Sequence, residues 1–212
     1  AMMISNSDDN EADYTITSHH HQHIYFTGSI NQKSMAQLIN ICKTSEFELL
    51  KSLKKMKQKY KVLIDDLVDE QDVLELFEPH IKPIKLTIHS QGGCVFSALF
   101  AVDQIKMLEV PVHTIISGYG ASAATLLSLA GNKRFITKNS HMLIHEVRSG
   151  CWGKRSLMLD THINIENISD MLIDYYATNT KMTKEELPKL LEKDRHWNAS
   201  ECLARGLVDE IL

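Results

Sequence analysis

Apolar and polar positions in the first third of the chain predict a strand followed by helical segments. Ile24-Tyr25-Phe26-Thr27-Gly28 has the composition of a short strand that ends at a glycine. Met35 to Ile41 has the spacing of an amphipathic helix, and residues 45–78 continue as a charged helical stretch with a stripe of leucines. The first part of that stretch is basic and the second acidic, which is more typical of a solvated helix face than of a binding patch.

Later segments repeat the alternation of strand and helix. Apolar runs predict three strands, and amphipathic runs between and after them predict two helices. The strands are Ile84 to Ile88, Val112 to Ser117 and Met142 to Ile144, and the helices are Val95 to Met107 and Leu157 to Thr178. Alternating strands and helices favour an α/β layered fold with parallel strands.

The polar N-terminal segment is predicted to lie outside the folded unit. Residues 1–23 contain too few apolar side chains to pack, so we expect a mobile N-terminal arm followed by a single domain over residues 24–212. The arm ends in a histidine cluster, His19, His20, His21 and His23. The cluster lacks a second ligand group at suitable spacing, so we expect a solvated segment or an oligomer contact rather than a metal site.

Composition narrows the function classes. The formal net charge is −4, with 43% hydrophobic and 24% charged residues, which does not favour a nucleic-acid partner. The chain has no apolar run long enough to cross a membrane and an acidic N-terminus unlike a signal peptide. Its four cysteines, Cys42, Cys94, Cys151 and Cys202, form no CxxC pair. Reduced thiols in the cytoplasm are the expectation, with no cofactor and no membrane partner.

Three polar residues stand where an acyl-transfer site could form. Ser122 follows Gly118-Tyr119-Gly120-Ala121 at a strand-to-helix junction, where free backbone N–H groups favour negative charge. His145 ends an apolar strand, at the sheet edge where α/β folds place their sites. Asp194 precedes a helix start at Asn198. Taken singly, the serine could be a helix-packing residue and the aspartate a helix cap or a partner of Arg195.

The double glycine Gly92-Gly93 follows a predicted strand. It could form a tight turn or a helix N-terminus, and it could equally let a backbone N–H approach a tetrahedral intermediate. Ser122 does not belong to a GxSxG elbow, because Ala124 replaces the second glycine and the order serine, histidine, aspartate is different.

Four motifs, in this order, resemble the proteolytic subunit of the Clp protease. The family pattern is a strand into SPGG, then GxAASMG, then MIHQP, then an aspartate shortly before SAxEAxxYGLVD. The matching segments here are Ser90-Gln91-Gly92-Gly93, Gly118 to Ala123, Met142 to Glu146, and Asp194 with Asn198 to Asp209. The departures are Gln91, Ala123 and the pair Glu146-Val147, none of which removes a backbone donor.

The resemblance implies site residues and a fold. Ser122 would be the nucleophile, His145 the general base and Asp194 its orienting partner, with backbone N–H groups of Gly93 and Ala123 as the oxyanion hole. An extended peptide would pair with two strands, and the implied substrate-binding residues are Gly92, Cys94, Val95, Phe96, Glu146, Val147 and Arg148. The fold would be a ClpP/crotonase-like layered fold of repeated β-β-α units, with a protruding helical handle over residues 149–180.

The resemblance also implies assembly. A heptameric ring or a stacked double ring of this chain would enclose the sites and hydrolyse unfolded polypeptides, with ATP dependence only if a AAA+ unfoldase docks. Relative to the family, residues 45–78 are an insertion that could alter such contacts. The alternatives are a catalytically silent ring subunit, a crotonase-fold CoA enzyme and a Ser-Lys peptidase.

Overall fold

The computed structural model describes residues 13–63 and 82–212, with side chains described up to residue 58 in the first range. Within these residues the chain forms eight strands and six helices. The strands are β1 Tyr14–His19, β2 His23–Gly28, β3 Ile84–Ser90, β4 Val112–Ala121, β5 Lys133–Ile136, β6 His141–Leu143, β7 Trp197–Asn198 and β8 Glu210–Ile211. The helices are α1 Gln32–Leu63, α2 Val95–Lys106, α3 Ala123–Leu129, α4 Arg155–Asn179, α5 Leu187–Leu191 and α6 Ala199–Ala204.

The strands form one mixed sheet in the order β1-β2-β3-β4-β5-β8, and β6 and β7 branch from β4. Strands β2, β3, β4, β5 and β8 run parallel, while β1 pairs antiparallel with β2 at the edge. Helices α1, α2 and α3 connect successive parallel strands. This is the α/β fold that the alternating pattern predicted, and its class is confirmed.

The core lies between the sheet and these connecting helices. Along β3, the side chains of Ile84, Leu86 and Ile88 are fully buried, and the residues between them point to the more exposed face. Because side chains alternate along a strand, one face of the sheet is apolar and covered by the helices. Because β3 and β4 are parallel, their carboxyl ends lie together at one edge of this packed layer.

Helix α4 stands partly away from the core. Every residue from 151 to 160 is exposed, and only Leu172 and Tyr176 of the helix are buried. The C-terminal half of α4 therefore packs on the body of the protein, and the N-terminal half projects from it. Across the described ranges, none of the helices combines the length and apolar character required to cross a bilayer.

The N-terminal boundary differs from the prediction. Residues 14–23 are not part of an arm, because Tyr14–His19 forms strand β1 and pairs with β2 along its whole length. His20 and His21 make the hairpin turn, both with positive φ. The polarity of this segment misled the prediction, since an edge strand tolerates polar side chains on its open face. Residues 1–12 of the predicted arm lie outside the described residues.

Helix α1 joins two segments that the sequence pattern separated. Its N-terminus is capped reciprocally, since Asn31 Oδ1 accepts from the Ser34 N–H at 2.8 Å and Ser34 Oγ accepts from the Asn31 N–H at 2.9 Å. No glycine or proline interrupts the chain between Met35 and residue 63, so the helix continues through the predicted break. Residues 64–81, the rest of the predicted charged stretch, lie outside the described residues.

Candidate active site

Ser122 occupies the junction between strand β4 and helix α3. Its backbone has φ 58° and ψ −128°, a conformation that non-glycine residues rarely adopt. The Ser122 N–H donates to the Leu143 carbonyl at 2.8 Å, which ties the junction to strand β6. This sharp turn directs the Ser122 side chain out of the strand at the start of a helix, and the residue is 1% exposed.

His145 lies beside Ser122, two residues after strand β6. Its Nε2 atom is 2.8 Å from Ser122 Oγ, within hydrogen-bond distance, and the residue is 4% exposed. The parallel pairing of β6 with the end of β4 brings the two residues together, because Ala121 is in register with Leu143. A hydroxyl and an imidazole in this contact can transfer a proton.

Asp194 lies near His145 but is engaged elsewhere. Its Oδ1 atom is 4.0 Å from His145 Nδ1, which is too long for a hydrogen bond. Its Oδ2 atom accepts a hydrogen bond from an Nη atom of Arg148. Among the described residues, His145 Nδ1 is buried without a hydrogen-bond partner. The three residues predicted from sequence therefore lie together, with the aspartate turned toward an arginine.

Burial and charge act in opposite directions on the histidine. Burial is the main cause that holds the pKa of His145 below its ordinary value, and the positive charge of Arg148 lowers it further. The negative charge of Asp194 offsets part of this effect. The result favours a neutral imidazole near pH 7, which is the form that can accept a proton from a hydroxyl.

The backbone N–H groups of Gly93 and Ala123 are free of the hydrogen bonds of their own secondary structure. Gly93 makes a parallel bridge to Ile30, whose N–H and carbonyl pair with Gly92 and Cys94 on either side. In such a bridge the N–H of the central residue, Gly93, points to the opposite side. The Ala123 N–H is the first of helix α3 and has no intrahelical acceptor. These are the donors that the sequence predicted for an oxyanion hole.

Gly92 and Gly93 pack too closely on their neighbours for any side chain. A Cβ atom on Gly92 would lie 2.7 Å from the Ser122 Cβ and 2.9 Å from the Ala123 nitrogen. A Cβ on Gly93 would lie 2.1 Å from the Ile30 carbonyl oxygen. Both residues also have positive φ, of 97° and 147°. Only glycine allows the double-glycine segment to approach the serine this closely.

One predicted substrate strand is wrong. Val95 and Phe96 belong to the first turn of helix α2, so they do not offer an extended edge to a peptide. Val95 is fully buried, whereas Phe96 is half exposed. Helix α2 begins directly after Cys94, as the pattern from Val95 to Met107 predicted, because the double glycine turns the chain there. Cys94 itself is extended and partly buried.

The other predicted substrate segment is not helical. Glu146, Val147 and Arg148 follow His145 outside any helix. The Glu146 N–H donates to the Leu191 carbonyl at 3.0 Å, so this group is occupied within the protein. Val147 is buried and Arg148 exposed.

The structure adds a hydrogen-bonded pair that the sequence prediction missed. Thr125 Oγ1 donates to the Ser122 carbonyl at 2.6 Å, and the Tyr176 hydroxyl lies 2.6 Å from the same Thr125 oxygen. Tyr176 is fully buried, and burial raises the pKa of its hydroxyl well above the ordinary value. The pair links the serine turn to helix α4. No local pattern could have indicated it, since Tyr176 lies 51 residues away along the chain.

Metal ligands are not gathered in the part of the chain that the structure describes. No group of three or more histidine, cysteine, aspartate or glutamate side chains is placed to hold an ion there. His19, His20, His21 and His23 lie in and beside the β1–β2 turn, with Gln22 N donating to the His19 carbonyl at 3.2 Å.

An α/β fold that brings a buried hydroxyl and an imidazole into hydrogen-bond contact at a helix N-terminus is a form that acyl-transfer enzymes take. Comparison with known protein families identifies the family of this chain. The Clp protease family matches residues 48–212. The chain therefore belongs to the Clp protease family, which supports a peptidase and favours it over a crotonase-fold CoA enzyme.

The chain is similar to curated bacterial proteins named ATP-dependent Clp protease proteolytic subunit 1. It is 35% identical to the protein of Chlamydia muridarum over 143 residues, covering 66% of this chain and 74% of that protein. It is 35% identical to the protein of Chlamydia pneumoniae over 151 residues, covering 69% and 78%. The matched family segment includes the junction around Ser122, the strand end at His145 and the loop of Asp194.

Proposed function

We propose that this chain is a serine endopeptidase of the Clp type, with Ser122 as nucleophile, His145 as general base and Asp194 as its orienting partner. The observation that carries the proposal is the 2.8 Å contact between Ser122 Oγ and the buried His145 Nε2. Two further features support it: the serine begins a helix, and the backbone of Gly92 packs against Ser122 and the Ala123 nitrogen.

The reaction follows from these positions. His145 Nε2 accepts the Ser122 proton as Oγ attacks the carbonyl carbon of the scissile peptide bond. The oxyanion of the tetrahedral intermediate accepts hydrogen bonds from Gly93 and Ala123. His145 then gives its proton to the leaving amine, and the C–N bond breaks to leave an acyl ester on Ser122. Water attacks this ester with His145 again as base, which releases the acid and restores the serine.

Asp194 needs only a small movement to take part. Its carboxylate would have to approach His145 Nδ1 by about 1 Å to accept a normal hydrogen bond. It is exposed at the surface and held by Arg148, so a rotation of either side chain could make that movement. In the new position it would hold the Nδ1–H tautomer and stabilise the imidazolium.

The substrate is an extended polypeptide. The non-helical segment from Glu146 to Arg148 directly follows His145, and Gly92 packs against Ser122. Main-chain pairing gives affinity without demanding a particular sequence. Because helix α2 begins at Val95, we expect most of the strand-like pairing on the histidine side.

Assembly into a ring fits the exposed apolar side chains of the handle region. Trp152 is 97% exposed, and Met158 and Ile163 are about half exposed. Large apolar groups in contact with water favour burial between subunits. We expect a homo-oligomer, with a heptameric ring or a stacked double ring as the first hypothesis, tested by native mass spectrometry. A partner AAA+ unfoldase in the cytoplasm would make the activity ATP-dependent.

Covalent labelling tests the nucleophile. A fluorophosphonate probe should add one adduct to the assembled wild type and none to Ser122→Ala, measured by intact mass. Ser128→Ala is the matched control, because Ser128 is also a buried serine and lies on helix α3 six residues later. It should label as the wild type does. An unlabelled, folded wild type would contradict the proposal and favour the catalytically silent subunit.

A further inference from the structure

The contact between Arg148 and Asp194 keeps the predicted triad incomplete. Arg148 binds one carboxylate oxygen of Asp194, and the other oxygen remains 4.0 Å from His145 Nδ1. Among the described residues, no other group replaces that oxygen at Nδ1. The histidine therefore contacts the serine but lacks its orienting partner. The same arginine also places a positive charge beside the histidine, which disfavours the imidazolium that forms during catalysis.

The ion pair is placed to be exchanged. The side chains of Arg148 and Asp194 are 51% and 57% exposed, so water and a bound peptide can reach both. Pairs of this kind contribute little net stability, because two solvated charges lose hydration and side-chain freedom on pairing. Arg148 also lies three residues after His145, on the non-helical segment that follows it. A guanidinium binds carboxylates through a planar fork of donors and binds a substrate carboxylate as readily as Asp194.

Exchange would leave a better-satisfied site. If another carboxylate paired with Arg148, Asp194 would be free to accept a hydrogen bond from the Nδ1–H of His145. This buried donor is otherwise unpaired. The exchange moves no covalent bond and needs no co-reactant. Its requirement is an acidic group on the peptide that reaches Arg148 when the scissile bond lies at Ser122.

Resting on the proposed peptidase function, we propose that Arg148 is a positioning and specificity-determining residue that selects peptides with an acidic side chain near the scissile bond. In the free protein Arg148 withholds Asp194 from His145. The acidic side chain of the substrate binds Arg148 in place of Asp194. Asp194 is then free to bind His145 Nδ1, so a substrate with the acidic side chain completes the triad.

Peptide pairs test this inference. Amide substrates with an aminocoumarin leaving group would carry glutamate or glutamine at one of the three positions N-terminal to the residue whose carbonyl is cleaved. A second set, of internally quenched peptides, would end in a free C-terminal carboxylate a few residues past the scissile bond, to distinguish a terminal from a side-chain carboxylate. For the wild type we expect the best glutamate peptide to exceed its glutamine partner by about tenfold in kcat, and not only in KM, because release of Asp194 acts on the chemical step.

Variants separate positioning from simple binding. Arg148→Gln should lose the preference to within about twofold and cleave the glutamine peptide faster than the wild type does, because Asp194 is no longer held. Arg148→Lys should keep part of the preference, since a charge remains without the planar fork. Arg195→Gln is the matched control: it removes one positive charge beside Asp194, but Arg195 pairs with Glu201. It should keep the wild-type preference.

Several results would overturn the inference. They are equal turnover of every glutamate and glutamine pair by the wild type, a preference confined to KM that survives in Arg148→Gln, or a preference only for a free C-terminus. If Ser122 of the wild type accepts the fluorophosphonate while the pairs are cleaved equally, this inference fails and the proposed peptidase stands. If Ser122 does not label at all, both fail. Should Arg148→Gln not fold, the wild-type kcat ratios and Arg148→Lys decide.

Discussion

Replacing Gly93 by alanine should separate the backbone donor from the side chains of the site. The new Cβ would lie 2.1 Å from the Ile30 carbonyl oxygen, where ordinary contacts begin at 3.4 Å. The Gly93 φ of 147° adds strain for any L-residue. The bridge between Ile30 and Gly93 must therefore open by about 1 Å, which moves the Gly93 N–H away from a bound oxyanion.

The expected loss follows from that displacement. Removing one oxyanion-hole donor lowers kcat by about 10² to 10³, and a misplacement of about 1 Å at a catalytic centre costs about 10². Peptide kcat and the fluorophosphonate labelling rate measure the effect, with circular dichroism melting as the check on folding. Gly150→Ala is the control, because a Cβ there meets nothing within 4 Å. A folded Gly93→Ala variant with kcat within a fewfold of Gly150→Ala would refute the role of this N–H.

Three further outcomes are expected. Burial lowers the pKa of His145, so kcat/KM should stay high as the pH falls and reach half its maximum below pH 6.5, the ordinary pKa of histidine. A midpoint above pH 6.5 in the pH profile would contradict this expectation. Because Ser122 has φ 58°, Ser122→Gly should be more stable than Ser122→Ala by about 1 kcal/mol in urea unfolding. Both variants should be inactive, and equal stability would argue against strain at the turn. Tyr176→Phe should lower the free energy of unfolding by about 1 kcal/mol, because it removes the hydrogen bond to Thr125. Tyr25→Phe is the control, and it should lower this free energy by almost nothing because Tyr25 is exposed.

The sequence was most informative where chain order alone brings residues together. Parallel strands end at a common edge, so Ser122 after β4 and His145 after β6 could be expected to meet once the strands were recognised. The double glycine could be placed for the same reason, since it follows the central strand β3. Four short motifs in a family-like order then assigned a role to each residue, and the Clp protease match supports the family.

What the sequence could not indicate depends on side-chain direction and distant contacts. Nothing in the pattern around Arg148 reveals that it turns toward Asp194, 46 residues away. The bond between Thr125 and Tyr176 likewise joins two helices far apart in the chain. The sequence pattern did predict a helix from Val95, and the substrate strand that the resemblance implied at Val95 and Phe96 was wrong because the chain turns sharply at Gly93 and enters that helix.

The antiparallel pairing of β1 with β2 has a practical consequence for truncation. A chain shortened to begin at residue 24 would delete β1 and leave one edge of β2 without its partner from Ile24 to Gly28. That edge would present open backbone donors and acceptors beside the buried side chains of Ile24 and Phe26. Unprotected strand edges recruit other chains, so such a shortened protein should aggregate during expression or concentration. The hairpin is best kept whole when the protein is prepared for the experiments above.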